Sequence, residues 1–434
     1  VLKAKLKSLP VERMRGEVRP PGDKSISHRA LILGSLCQGR VEISGLAQGA
    51  DVRATAWCLA RLGVDLQLDG CDALINGQGL GGFRQPDSAL DCGNSGTTLR
   101  LLSGLVAGAR ITTTLGGDKS LQKRPMGRIS APLRKMGALI GGPQDGTRAP
   151  LYIECRGVRP RLHRLEIASA QVKSMILIAG GFAHGLTQVE EPAPTRDHTE
   201  RMLCFLGADL CTEFPRVSLR GPLDLGPAAL RVPGDPSSAA FLCAAAPFIR
   251  RSRVVVRDLC LNPTRTGFLE VLRNMGARFE TQNLRDVDGE PVGDLVMRYG
   301  ALRGCTILGR LVPRTIDELV VLALIASMAR GETVIKDAAE LRHKESDRIA
   351  GTVDAINALG GSAEATDDGM LIHGLDGPLL GGTIRSRGDH RLALAALAIG
   401  AVTQRGVSVE GAEAIAVSYP EFVQQFNSLG GSIQ

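Results

Sequence analysis

Six short polar motifs punctuate the chain: Gly22-Asp23-Lys24-Ser25, Gly93-Asn94-Ser95-Gly96-Thr97, Ser169-Ala170-Gln171, Gly234-Asp235-Pro236-Ser237-Ser238, Thr315-Ile316-Asp317 and Gly388-Asp389-His390-Arg391. Each leads into an almost wholly apolar run. Ser, Thr, Asp and Asn in such places cap helix N-termini by accepting from orphan backbone N–H groups. Capping leaves the cations unexplained. Lys24, Arg29 and Arg391 lie in or next to first turns, where the helix dipole is positive and a cation is disfavoured. An anion held between a helix N-terminus and these side chains removes the conflict, so the pattern points to the binding of phosphate or carboxylate groups.

The apolar runs that carry these motifs are SHRALILGSL, GTTLRLLSGLVAG, QVKSMILIAGGF, SSAAFLCAAAPF, IDELVVLALIASMA and DHRLALAALAIGAV, which read as six helices buried on all sides. A second series runs in phase with them. RLGVDL, KMGALI, FLGADL, NMGARF, ALGGSA and SLGGSI each end an amphipathic stretch, and their glycines at 63, 137, 207, 276, 360 and 430 are spaced by 74, 70, 69, 84 and 70 residues. Glycine at the end of a helix, followed by a strand-like segment, is a helix stop. The chain is therefore six copies of a unit of roughly 70 residues, each with a buried helix, an amphipathic helix and connecting strands. Three units fill one domain of common size, which predicts two domains with a boundary near Arg231–Gly234. Helices running parallel within each domain would turn their positive ends to the interdomain cleft, where the active site is expected.

Composition narrows the function. Aromatic residues are 3% of the 434, too few for stacking platforms that bind single-stranded nucleic acid. The net charge is +7, and 42 of the 52 basic residues are Arg, the side chain that grips phosphate and carboxylate bidentately. No run of five or more basic residues occurs, so a small anionic substrate is expected, with no nucleic-acid or membrane partner. The ten Cys contain no CxxC and the seven His no HxxxH or HxH pair, so no metal and no cofactor are expected. Reduced thiols, together with an opening VLKAKLKSLPVERMRGEV that lacks an apolar core of signal-peptide length, lead to the expectation of a cytoplasmic protein. A monomer is expected.

The runs PGDKSISHRALILGSL, GNSGTTLRLLSG, KRPMGRI, ASAQVKSMILIAG, TRDHTERM, PGDPSSAAF, NPTRTGF, ELRHKESDRI and GDHRLALAALAIG, from Pro21 to Ile399, resemble the 5-enolpyruvylshikimate-3-phosphate (EPSP) synthase family in its own order. SISHR, KRPMGR and SAQVKS are similar to its second class. The resemblance implies an α/β fold of two inverse α/β-barrel-like domains, each with three copies of a βαβαββ unit. It places residues 21–232 in one domain, and 1–20 with 233–434 in the other. It implies transfer of the enolpyruvyl group of phosphoenolpyruvate to the 5-hydroxyl of shikimate 3-phosphate, with phosphate released through a tetrahedral intermediate, in aromatic amino-acid biosynthesis. By the same resemblance Lys24, Asn94, Gly96, Arg124, Gln171, Arg348 and Arg391 bind phosphoenolpyruvate. Lys24, Ser25, Arg29, Ser169, Ala170, Gln171, Arg196, Asp317 and Lys344 bind shikimate 3-phosphate, and Lys173 is close enough to contribute. Asp317 is the implied base for the 5-hydroxyl, Glu345 exchanges a proton with the carbon that becomes a methyl group, and Lys24 is a rival proton donor. Without the resemblance, Glu345 reads as an i,i+3 partner of Arg348 on a helix surface.

The match has a departure. The first class carries a lysine just before a TFPD-like segment, whereas Ala416-Val417-Ser418-Tyr419-Pro420 has none, as in the second class, so one phosphoenolpyruvate cation is absent or replaced. The inhibitor glyphosate occupies the phosphoenolpyruvate site in this family, and tolerant second-class members have Ala where this chain has Gly96. The related UDP-N-acetylglucosamine enolpyruvyl transferases have a Lys-Asn pair in place of Lys24-Ser25 and commonly a loop cysteine. The KRPMGR loop has none, and a non-catalytic binder is disfavoured because Asp317 and Glu345 are both present.

Overall fold

The glycines of the sequence repeat are the joints of the structure, a computed structural model that describes residues 4–434. Six helices end at them: α2 (Ala50–Arg61), α4 (Gly127–Met136), α6 (His198–Phe205), α8 (Gly267–Asn274), α10 (Arg348–Ala358) and α12 (Phe422–Ser428). Gly63, Gly137, Gly207, Gly276, Gly360 and Gly430 all take left-handed backbone, with φ of 89°, 108°, 88°, 89°, 87° and 97°. The next residue in each copy donates its N–H five residues back, as Val64 does to Leu59, Ala208 to Leu203 and Gly361 to Ile356. This is the Schellman closure, which needs a residue without a Cβ penalty at the left-handed position.

Between them lie the six apolar helices: α1 (Lys24–Gly34), α3 (Gly96–Gly108), α5 (Ala170–Gly180), α7 (Pro236–Cys243), α9 (Leu319–Ala326) and α11 (His390–Gly400). Every residue of α7, α9 and α11 is buried. Asp23, Ser95, Ser169, Asp235 and Asp389 cap α1, α3, α5, α7 and α11 by accepting from backbone N–H groups. The fifth motif differs from its reading as a cap: the residue before α9 is Glu318, no side chain caps that helix, and the Asp317 carboxylate turns to arginines instead.

Strands of each repeat form a small sheet with one parallel edge. In the first, Ala228–Arg231 runs parallel to Gln38–Ser44, which pairs antiparallel with Asp72–Gln78 and that with Asp65–Asp69. The second, third and fifth sheets repeat this pattern. In the fourth, Arg15–Val18 supplies the parallel edge to Arg253–Cys260, and in the sixth Lys5–Ser8 pairs antiparallel with Val407–Glu410. The fold is thus α/β with six small sheets.

The chain divides into two compact units: residues 22–232 with 287–290, and residues 1–21 with 233–286 and 291–434. The sequence reading kept 233–434 together, but the tip at 287–290 groups with the first unit. His198 Nδ1 lies 2.7 Å from Glu290 Oε1, both buried, and Arg201 Nη1 donates to the Gly289 carbonyl at 2.8 Å. Residues 1–3, which the sequence reading assigned to the second domain, lie outside the described residues. Among the described residues no helix is long and apolar enough to cross a membrane.

Candidate active site

In the unit of residues 22–232, the starts of α1, α3 and α5 carry the expected anion-binding residues. Lys24 opens α1, and its Nζ lies 3.0 Å from Asp51 Oδ2 at the start of α2. Gly96 opens α3. A Cβ built there would stand 3.2 Å from Arg100 Nη1 and 3.3 Å from Arg124 Nη1, so the bare backbone faces two guanidinium groups. Arg124 Nη2 donates to Asn94 Oδ1 at 2.5 Å, and Asn94 Nδ2 donates to Asp118 Oδ2 at 2.6 Å. Gln171, in the first turn of α5 after Ala170, bridges to α3: its Oε1 accepts from Arg100 at 2.5 Å and its Nε2 donates to Thr97 Oγ1 at 2.8 Å. Lys24, Asn94, Gly96, Arg124 and Gln171 therefore sit on helix starts or the loops beside them, as their motifs suggest.

A second group gathers in the same unit around Ser25. Arg196 Nη1 reaches Ser25 Oγ at 3.4 Å, and Arg29 Nη1 donates to the Ser25 carbonyl at 2.8 Å. Arg29 also donates from Nε to Thr199 Oγ1 at 2.7 Å and from Nη2 to Ser174 Oγ at 2.8 Å. These partners are neutral and the guanidinium is 2% exposed, and burial lowers its pKa to about 10 despite the attraction of Glu200. A buried cation solvated by hydroxyls and a carbonyl is suited to receive an anion. Ser169 is the α5 cap.

Lys173 corrects the sequence reading. Its Nζ is buried between Glu191 Oε1 at 2.7 Å and Glu200 Oε1 at 2.5 Å, one turn below the α5 start, so it is committed to the protein and not to a substrate. Burial disfavours its ammonium, but the two carboxylates outweigh that and raise its pKa; burial raises that of Glu200. Glu191 also accepts from Thr195, the residue before Arg196.

In the unit of residues 1–21, 233–286 and 291–434, the centre is Arg348, the first residue of α10 and almost wholly buried. Its Nε donates to Asp389 Oδ2 at 2.8 Å, its Nη2 to Glu345 Oε2 at 2.5 Å, and its Nη1 is 3.8 Å from Asp317 Oδ1. Burial opposes the charge, yet Asp389 and Glu345 raise the Arg348 pKa above its usual value. Burial likewise opposes ionisation of Asp389, but Arg348 wins and holds its pKa below the usual carboxylate range. Asp317 is ringed by cations: Arg391 Nη2 stands 3.6 Å from Oδ1 and Arg265 Nη1 4.0 Å from Oδ2. Arg391 Nη1 donates to the Asp317 carbonyl at 2.7 Å. Lys344, the residue before Glu345, pairs with Glu340 at 2.7 Å.

Sequence reading missed several of these side chains. Asp389 was seen only as part of a capping motif, although it both caps α11 and anchors Arg348. Arg265, buried between Asp235 Oδ1 at 2.8 Å and Glu318 Oε1 at 3.6 Å, stood unremarked in NPTRTGF. Arg100 had a signal, a lone cation inside an apolar helix one turn after Gly96. Asp51 had none beyond its place in a first turn. Among the described residues no group of three or more His, Cys, Asp or Glu could hold a metal ion.

Comparison with known proteins places this geometry. A family model described as EPSP synthase (3-phosphoshikimate 1-carboxyvinyltransferase) matches residues 9–426. A 3-phosphoshikimate 1-carboxyvinyltransferase of Geobacillus kaustophilus is 47% identical over 96% of this chain and 98% of its own length. Its counterpart in Acidithiobacillus ferrooxidans is 49% identical over 95% of each. The solved EPSP synthase of Acinetobacter baumannii superposes with a TM-score of 0.89 at 39% identity, covering 99% of both chains.

Proposed function

The chain belongs to the EPSP synthase (3-phosphoshikimate 1-carboxyvinyltransferase) family, and from that membership we propose how its residues divide the work of the reaction. The enzyme transfers the enolpyruvyl group of phosphoenolpyruvate to the 5-hydroxyl of shikimate 3-phosphate and releases phosphate, a step towards aromatic amino acids. Shikimate 3-phosphate is held by Lys24, Ser25, Arg29, Ser169, Ala170, Gln171, Arg196, Asp317 and Lys344, and phosphoenolpyruvate by Lys24, Asn94, Gly96, Arg124, Gln171, Arg348 and Arg391. Asp317 takes the proton of the 5-hydroxyl as its oxygen bonds to C2 of phosphoenolpyruvate, while Glu345 delivers a proton to C3. The tetrahedral adduct then loses phosphate, which carries away the proton that Asp317 took from the hydroxyl, and Glu345 recovers a proton from the methyl group to restore the vinyl bond. Both steps are general acid–base catalysis with charge stabilised by fixed cations.

The observation that carries these roles is Arg348. One buried guanidinium meets both carboxylates assigned to proton transfer, Asp317 and Glu345, and is itself anchored by Asp389. Lys24 is the rival proton donor, its Nζ 3.0 Å from Asp51 Oδ2. The ten cysteines are free thiols among the described residues, which supports a reducing, cytoplasmic setting. Phosphate release from phosphoenolpyruvate tests the whole reading. Release that requires shikimate 3-phosphate is expected; release driven by UDP-N-acetylglucosamine, or by neither acceptor, overturns it.

A further inference from the structure

One turn below the Lys24–Asp51 pair lies a layer of polar side chains that none of the roles above uses. Lys24 and His28 are four residues apart on α1, Asp51 and Thr55 four apart on α2, and Ser95 and Thr98 are the cap and third residue of α3. The upper residues form a rim and the lower ones a chain. His28 Nδ1 is 2.7 Å from Thr55 Oγ1, and Thr55 Oγ1 is 2.7 Å from Thr98 Oγ1. Thr98 Oγ1 then donates upward to Ser95 Oγ at 2.7 Å and to the Asp51 carbonyl at 3.2 Å. His28, Thr55 and Thr98 are fully buried.

A proton count gives the chain its direction. Each hydroxyl has one proton to donate. The Asp51 carbonyl can only accept, so it takes the Thr98 proton, and the Thr55–Thr98 contact needs the proton of Thr55. Thr55 then has none for His28, and the imidazole must donate from Nδ1. His28 Nε2 is left as a bare lone pair, in keeping with its having no protein partner. The opposite tautomer would bury an N–H without an acceptor and would draw the Thr98 proton away from the Asp51 carbonyl. Burial above all, with Lys24 and Arg29 adding to it and Asp51 opposing, lowers the His28 pKa to about 3 and keeps the ring neutral.

We propose that His28 is a positioning residue for the phosphoenolpyruvate subsite: as the terminal donor of the relay through Thr55 and Thr98, it holds Asp51 beneath Lys24 and fixes the Ser95 cap beside Gly96. This rests on the assignment of Lys24, Gly96 and Arg124 to phosphoenolpyruvate. The shikimate 3-phosphate residue Arg29 is anchored to a separate pair, Thr199 and Ser174. Because Gly96 and Arg124 serve phosphoenolpyruvate alone while Lys24 serves both substrates, removing the relay donor should affect phosphoenolpyruvate more than shikimate 3-phosphate.

Three variants separate this from a packing role. His28→Leu keeps bulk without a donor, Thr55→Val breaks the chain at its middle, and His28→Asn restores an N–H close to the place of Nδ1. The first two should raise KM for phosphoenolpyruvate by about 2- to 10-fold, the worth of one hydrogen bond, with a smaller change in KM for shikimate 3-phosphate. His28→Asn should return towards the parent value. Equal changes in both KM values, or an Asn variant no better than Leu, would overturn the proposal. If His28→Leu does not fold, Thr55→Val against Thr55→Ser makes the same comparison. Imidazole 15N spectra of the full chain supply a readout independent of turnover, with the proton expected on Nδ1 of His28; a proton on Nε2 overturns the relay. Absence of phosphate release dependent on shikimate 3-phosphate in the parent would instead overturn the functional reading and leave the tautomer result standing.

Discussion

A carboxylate that moves a proton stops doing so when one oxygen becomes an amide, while its shape and much of its hydrogen bonding persist. Asp317→Asn and Glu345→Gln should each lower turnover by roughly 10²–10⁴ with KM for both substrates little changed. They should differ in isotope behaviour: solvent deuterium should enter the methylene of phosphoenolpyruvate in the Asp317 variant and far more slowly in the Glu345 variant. Washout in Glu345→Gln as fast as in the parent would transfer the role to Lys24. Gly96 permits a second test at this scale. Its missing methyl leaves room beside Arg100 Nη1 and Arg124 Nη1, and these groups are tethered to Gln171 and Asn94, so they can yield by little. The parent should be glyphosate-sensitive, and Gly96→Ala should weaken that longer anion more than phosphoenolpyruvate, by roughly 5- to 150-fold for an overpacking cost of about 1–3 kcal/mol. Inhibition measured in competition with phosphoenolpyruvate decides, and an equal loss for both anions would refute discrimination by length.

At the level of elements, the repeat glycines make two separable contributions to stability. Gly207 has φ of 88° with nothing within 4 Å of the Cβ position, whereas Gly360 has φ of 87° with Leu380 Cδ1 at 2.9 Å. Gly207→Ala should therefore cost only the left-handed strain of about 1–2 kcal/mol. Gly360→Ala should cost more, because backbone strain and overpacking add; equal shifts in denaturant midpoint would contradict this. The α11 cap makes a pH prediction. Asp389 has its pKa lowered in the folded state, so its stabilisation is fully present above the ordinary aspartate value of about 3.9 and is lost as pH falls through the folded value. Stability should therefore fall with acid below about pH 4 in the parent, and Asp389→Asn should flatten that part of the profile. An unchanged acid slope in the variant would show that Arg348 does not hold this carboxylate ionised.

For the molecule as a whole, the proposed function assigns phosphoenolpyruvate to Arg124 and Arg391, which lie far apart in the sequence. Arg124→Ala and Arg391→Ala should then both raise KM for phosphoenolpyruvate, each by about 10- to 150-fold, the worth of a charge-assisted hydrogen bond of roughly 1.5–3 kcal/mol. A rise confined to one variant would mean that the other arginine serves a different group. Lys173→Met should behave otherwise, losing stability by about 3–5 kcal/mol through the unpaired Glu191 and Glu200, which a thermal melt would detect before any change in KM.

Much of this architecture was legible in the sequence because it is local. The six glycines could be read as helix ends since left-handed backbone excludes most other residues, and all six adopt it. The capping residues Asp23, Ser95, Ser169, Asp235 and Asp389 could be read because each bonds an N–H within three residues of itself. Partners far apart in sequence could not. Arg348 finds Asp389 across 41 residues and Arg100 finds Gln171 across 71, while Lys173, adjacent in sequence to the motif's substrate residues, is drawn inward by Glu191 and Glu200. Asp317 looked like a cap and became the counter-charge of three arginines. Periodicity, backbone conformation and capping are settled within a turn or two of chain and are written in residue order. The choice of partner for a charged side chain depends on which helix starts the packed core brings side by side, and only the tertiary structure decides that.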